Sequence, residues 1–175
     1  MIVGVLAIQG GFAEHIGILK GLEIDTILVR NARDLDKCTG FIIPGGESTS
    51  IKIRLFPEIY DWILAGKPFL GTCAGAIILS NIRPDALVIE RNAYGGQQQS
   101  FIQNVDFNGQ IIDGAFIRAP KIKKHTGKAI ANLENGDIVG VQIGRQMAIT
   151  FHPELTNNTI VHKCFVDLIK GNSNE

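Results

Sequence analysis

The chain has 175 residues, 17 basic and 17 acidic side chains, 45% hydrophobic and 7% aromatic content, and zero formal net charge. That length suits a single domain over residues 1–175, whose core can bury roughly 70% of the surface an unfolded chain exposes. The charge balance argues against an electrostatic grip on nucleic acid or an anionic membrane surface, and no apolar run approaches the ~20 residues that cross a bilayer.

Met1–Ile8 is too short and too uncharged for a signal peptide, and Ile2–Ile8 reads as a buried strand. A helix over Glu14–Gly21 follows, then strands at Thr26–Val29 and Phe41–Ile43. A short helix near Thr49–Arg54, a helix over Pro57–Ala65, a strand at Phe69–Gly71 and a helix beginning just after Cys73 complete the first half. Strands alternating with helical patterns predict right-handed βαβ units, hence an open parallel sheet with helices on both faces. After Asn81 the texture changes. Ala86–Glu90, Gln99–Val105, Ala115–Arg118, Ile138–Ile143 and Gln146–Thr150 read as strands. The turn signals Asn108-Gly109 and Asn135-Gly136 make them hairpins and antiparallel additions. The basic run Lys121–His125 reads as a solvated loop. A final helix, Thr159–Lys170, is stopped by Gly171. In such a sheet the chemistry belongs at the carboxyl ends of the strands.

Lys67–Leu79 reads strand, tight turn, helix, and carries the frame Gly71-Thr72-Cys73-Ala74-Gly75. This is the cysteine counterpart of the Gly-x-Ser-x-Gly nucleophile elbow. Gly71 and Gly75 remove Cβ atoms where strand and helix pass closely, and a helix N-terminus beneath Cys73 favours its thiolate. A small buried cysteine in a packed turn is the competing reading. Cys38 and Cys164 have no such frame and read as structural. The three cysteines lack metal-ligand spacing and cannot all pair, which points to a reducing, cytoplasmic setting.

A thiol nucleophile needs a general base. His152 follows the apolar run Met147–Phe151, with Glu154 two residues on, so a persisting strand would project both from one face. Glu154 could then fix the imidazole tautomer. His15 reads as helix surface, His162 lies in the final helix, and His125 sits in the basic run. Phe41–Ser50 is a second strand, turn and helix start. Its Gly45-Gly46 pair lets backbone N–H groups face a site, making Gly46 and Ala74 candidate oxyanion donors. A phosphate cradle is the rival for that loop, but Glu47 would repel a phosphate and the P-loop lysine frame is absent.

Set in order, these motifs resemble the class I glutamine amidotransferases, and within them the PdxT/SNO family of glutaminase subunits of pyridoxal 5′-phosphate synthase. The markers are Gly4–Gly10 with Glu14-His15, Pro44–Thr49, Gly71–Gly75, Glu90–Gly95, Phe116–Pro120 and Phe151–Leu155. The resemblance implies a flavodoxin-like three-layer α/β sandwich and a Cys73–His152–Glu154 triad. It also implies glutamine contacts from Gly46, Glu47, Ser48, Arg91, Ile117 and Arg118, and a loop-setting role for Gln9. The implied reaction splits L-glutamine into glutamate and ammonia without a metal or organic cofactor. The ammonia would pass to a synthase subunit in a hetero-oligomeric complex. This chain has Gly96–Gln99 where family members commonly carry Arg-Gln, and its Ala76–Glu90 segment is short. Two alternatives stay open: a PfpI-protease-like cysteine hydrolase, although Ala74 stands where that group usually has histidine, and a non-catalytic binding subunit.

Overall fold

Gly40–Ile43, Phe69–Thr72 and Gln146–Ile149 are buried at every position, an environment that only a sheet covered on both faces provides. In a computed structural model, which describes residues 1–8, 10–46, 56–91 and 100–171, these runs are its central strands. The elements are β1 (Ile2–Leu6), α1 (Phe12–Gly21), β2 (Asp25–Val29), α2 (Ala32–Leu35), β3 (Gly40–Ile43), α3 (Phe56–Leu64), β4 (Phe69–Thr72) and α4 (Ala74–Ile82). Then come β5 (Leu87–Glu90), β6 (Phe101–Phe107), β7 (Gln110–Phe116), β8 (Lys121–His125), β9 (Lys128–Asn132), β10 (Ile138–Ile143), β11 (Gln146–Ile149) and α5 (Ile160–Lys170).

Among the described residues, nine strands form one sheet in the order β2-β1-β3-β4-β11-β10-β9-β6-β7. The first five are mutually parallel in the flavodoxin-like order, and the pairs from β11 outward are antiparallel. Alternation along the strands splits the core into two layers. Val3, Val5, Ile42, Leu70, Met147 and Ile149 face α1 and α5, whereas Leu6, Phe41, Ile43, Phe69 and Ala148 face α3 and α4. The expected three-layer, mostly parallel α/β sandwich with antiparallel additions is what forms. Gly171 closes α5 in the left-handed conformation, and the Arg145 guanidinium binds the carbonyls of Leu168 and Ile169. Among the described residues no helix is long and apolar enough to cross a membrane.

Several local expectations need correction. The run Lys121–His125 is a strand, not a loop, paired antiparallel with β5. Ile122 points into the core while Lys121 and Lys123 reach Asp137 and Glu90, at 2.8 and 2.7 Å, and the register with β5 shifts at Lys123, so the alternation that marks a strand is broken and the charge count dominates. β7 starts immediately after the Asn108-Gly109 turn, and the expected strand at Ala115–Arg118 overlaps only its end. β9 is rich in alanine, a weak strand signal, and was not anticipated. The short helix expected near Thr49–Arg54 lies outside the described residues.

Candidate active site

Cys73 stands between β4 and α4 at φ 47°, ψ −100°, a region that side chains rarely occupy. The surroundings hold it there: its amide donates to the Ile149 carbonyl of β11 at 2.8 Å. A Cβ on Gly71 would strike the Gly75 backbone, and one on Gly75 would strike the Ile43 carbonyl oxygen. Bare backbone at both positions lets α4 start directly against β3 and β4. Ala74 thus occupies the first turn of α4, where amides have no intrahelical acceptor.

His152 is held by a different strand. Its amide donates to the Ala115 carbonyl at the end of β7, at 2.8 Å. The link to Glu154 differs in kind from the expected one: β11 has already ended at Ile149, and a 3-10 turn over Pro153–Leu155 carries the carboxylate back to the ring. His152 Nδ1 and Glu154 Oε1 lie 2.7 Å apart, with the Glu154 side chain almost wholly buried. Burial works to depress the His152 pKa. Hydrogen bonds to Cys73 and Glu154, with the charges of both, overcome it and raise the value to about 10. At neutral pH the imidazole is therefore protonated, facing the Cys73 sulfur on one side and a carboxylate on the other.

Gly45 packs against this pair, since a Cβ there would meet the His152 ring and lie 3.2 Å from Cys73 Cβ. Its amide donates to Thr72 Oγ1 at 3.2 Å. Gly46 follows at φ 144°, within the glycine-favouring region. Gly46, Cys73, Ala74, Arg91, Ile117, Arg118, His152 and Glu154 all border one cleft of about 970 Å³. The Ile117 carbonyl is 3.9 Å from Cys73 Sγ. Arg91 and Arg118 are exposed, and Glu90, the neighbour that could neutralise Arg91, is engaged with Lys123 instead. Gln9, Glu47 and Ser48 lie outside the described residues.

Three residues behind the site escaped the sequence reading. His15 is fully buried rather than on a helix surface, and His162 is fully buried too. Thr72, also fully buried, joins His15 to the Gly45 amide. A signal existed: His15 precedes the buried Leu19 by one helical turn, and His162 shares its stripe with Phe165 and Val166. Neither has a carboxylate at useful spacing along the sequence, the mark that sets His152 apart.

The model of the SNO glutamine amidotransferase family matches residues 5–170. Pyridoxal 5′-phosphate synthase subunit PdxT of Tropheryma whipplei (strain TW08/27) is 44% identical, with 96% of this chain and 98% of that protein covered. The PdxT subunit of Francisella philomiragia is 41% identical, with 95% and 98% covered. Among solved structures, one described as a glutamine amidotransferase is 35% identical, has a TM-score of 0.87, and matches 97% of this chain and all of its own. A glutamine amidotransferase from Thermotoga maritima shares the fold with a TM-score of 0.68 at 13% identity, over 99% of this chain and 85% of its own.

Proposed function

The chain belongs to the SNO glutamine amidotransferase family, and we propose that Cys73, His152 and Glu154 are the residues through which it works. It is a glutaminase: it hydrolyses L-glutamine to L-glutamate and ammonia, and serves pyridoxal 5′-phosphate biosynthesis together with a synthase subunit. The observation that carries the residue assignment is the strained Cys73 turn standing beside a His152–Glu154 pair closed at 2.7 Å.

Cys73 thiolate attacks the side-chain amide carbon of glutamine. The oxyanion that forms is met by the Gly46 and Ala74 N–H groups, each donor being worth about 3 kcal/mol in such sites. Protonated His152 gives its proton to the departing nitrogen, so ammonia leaves and a γ-glutamyl thioester remains. A water molecule then loses a proton to His152 and attacks the thioester, and the sulfur leaves to release glutamate. Glu154 holds the His152 Nδ1–H throughout and offsets the imidazolium charge.

Arg91 and Arg118 supply guanidinium forks for the substrate's α-carboxylate, and Gly46, Glu47, Ser48 and Ile117 complete the contacts. Gln9 sets the loop that carries Gly46. The synthase subunit docks into a hetero-oligomeric complex and receives the ammonia through a protected path. Three free cysteines suit a cytoplasmic, reducing compartment. What supports these finer readings is the family membership and, for Gly46, Arg91, Ile117 and Arg118, the cleft they share.

The test is glutamate release from glutamine, measured with and without the synthase subunit. The native chain should turn over glutamine in the complex. Cys73→Ala should lose at least about a thousandfold while keeping its circular dichroism spectrum and melting temperature. Unimpaired turnover by that variant would sink the assignment.

A further inference from the structure

Behind the proposed triad lies a second row of polar groups that the proton and acyl transfers do not use. Two fully buried imidazoles, one from α1 and one from α5, stand in contact: His15 Nδ1 and His162 Nε2 are 2.8 Å apart. The other ring nitrogen of His15, Nε2, faces two groups at once. It is 3.3 Å from Thr72 Oγ1 and 3.4 Å from Glu154 Oε2.

The proton positions follow from elimination. Burial lowers the pKa of His15 well below its ordinary value, with the nearby His162 and His152 adding to the effect, and burial alone brings His162 down to about 4. Both rings are uncharged at neutral pH, so one N–H lies between them. If His15 donates, its Nε2 presents a lone pair to a buried carboxylate, and His162 is left with a Nδ1–H. Among the described residues that atom has no hydrogen-bond partner. If His162 donates from Nε2, its Nδ1 keeps only a lone pair and His15 carries the proton on Nε2, aimed at Thr72 and Glu154. The second arrangement is favoured, because an orphaned buried N–H and a bare carboxylate oxygen each cost more than an unmatched lone pair. It matters for Glu154, whose Oε2 has no hydrogen-bond partner among the described residues. At 3.4 Å the His15 N–H dipole is long for a hydrogen bond, yet it is the positive group set against that oxygen.

We propose that His15 is a positioning residue for the glutaminase reaction: its Nε2–H holds the outer oxygen of Glu154 while the inner oxygen holds His152, and His162 fixes the tautomer that makes this possible. The same ring reaches the other arm of the site, since Thr72 Oγ1 accepts the Gly45 amide of the oxyanion loop. One imidazole therefore ties the orienter of the base to the loop beside the nucleophile. α5, which supplies His162, is coupled to the site without bordering the cleft. The inference rests on the Cys73–His152–Glu154 reading.

The experiment compares His15→Leu, which keeps bulk and removes the donor, with His15→Gln, whose amide N–H reaches the position of Nε2. Both are assayed for glutamate release in the complex with the synthase subunit, with Cys73→Ala in parallel. His15→Leu should lower kcat about tenfold to a hundredfold with KM for glutamine unchanged, and His15→Gln should recover most of the loss. His162→Leu, which disturbs only the tautomer lock, should show a smaller fall in kcat and guards against a His15→Leu variant that does not fold. Native kcat in His15→Leu or His162→Leu overturns the proposal, as does an equal loss in His15→Leu and His15→Gln, which is the mark of a merely structural role. Turnover surviving in Cys73→Ala overturns the triad reading itself, so the two failures are distinguishable.

Discussion

His15, His152 and His162 show how position decides what one side-chain type does. His152 gains a proton because Cys73 and Glu154 outweigh its burial; His15 and His162 lose theirs because burial dominates, with His162 and His152 adding to the effect at His15. These shifts have opposite consequences for stability. With its pKa lowered from 6.5 to about 4, His162 contributes stability that is present above pH 6.5 and lost as pH falls toward 4, about 3 kcal/mol in full. His15 acts in the same direction. His152, raised to about 10, contributes stability that is present below pH 6.5 and lost as pH rises through 10. The urea midpoint should therefore drop between pH 7 and pH 4.5 more steeply in the native chain than in His162→Gln. Equal slopes in the two would contradict an uncharged, buried His162. Cys73, His152 and Glu154 could be picked out in sequence because each sits in a short local frame. His15 could not, because its partners His162, Thr72 and Glu154 are 147, 57 and 139 positions away along the chain.

The turn from β4 into α4 is where sequence and structure agree most closely. Gly71 and Gly75 were expected to make room for a close passage, and the atoms they make room for are the Gly75 backbone and the Ile43 carbonyl of β3. β3 is fully buried and cannot give way, so Gly75→Ala should destabilise the chain by about 3 kcal/mol or more. Native-like stability in chemical denaturation would show that β3 and α4 do not pack so closely. The β6–β7 hairpin was also legible, since Asn108 and Gly109 at φ 49° and 83° make the turn that the Asn-Gly pair announces. β8 differs from the expected loop for a physical reason: three lysines in five residues suggest solvent, but an irregularity at Lys123 leaves it and Lys124 outward while Ile122, paired with Ile89, stays in the core. The 3-10 turn that closes Glu154 onto His152 belongs to the same class of error. Pro153 announced that the strand ended, and only the backbone path showed that ending it brings the carboxylate back.

At the scale of the molecule, one layer of core runs from Val3 and Leu19 in the parallel half through Phe151 to Val105, Phe107 and Phe116 in the antiparallel half. A core shared in this way is the reason to propose that residues 1–175 unfold as one unit. Trp62, the sole tryptophan, packs edge-on against Phe41 and donates to the Pro68 carbonyl, both in the parallel half, whereas far-ultraviolet circular dichroism senses both halves. Fluorescence and dichroism should therefore give the same urea midpoint; two separated transitions would divide the chain into two domains. By itself the sequence determined the α/β class, the parallel-then-antiparallel order of strands, the elbow around Cys73 and the family, because each is written in local periodicity or in short frames of specific residues. The tertiary structure alone decided that β11 inserts beside β4, bringing His152 to Cys73 across 79 positions, and that α1 and α5 bury a pair of histidines behind Glu154. Those contacts join segments remote in the chain, and their energies depend on burial and on proton positions that no local pattern records.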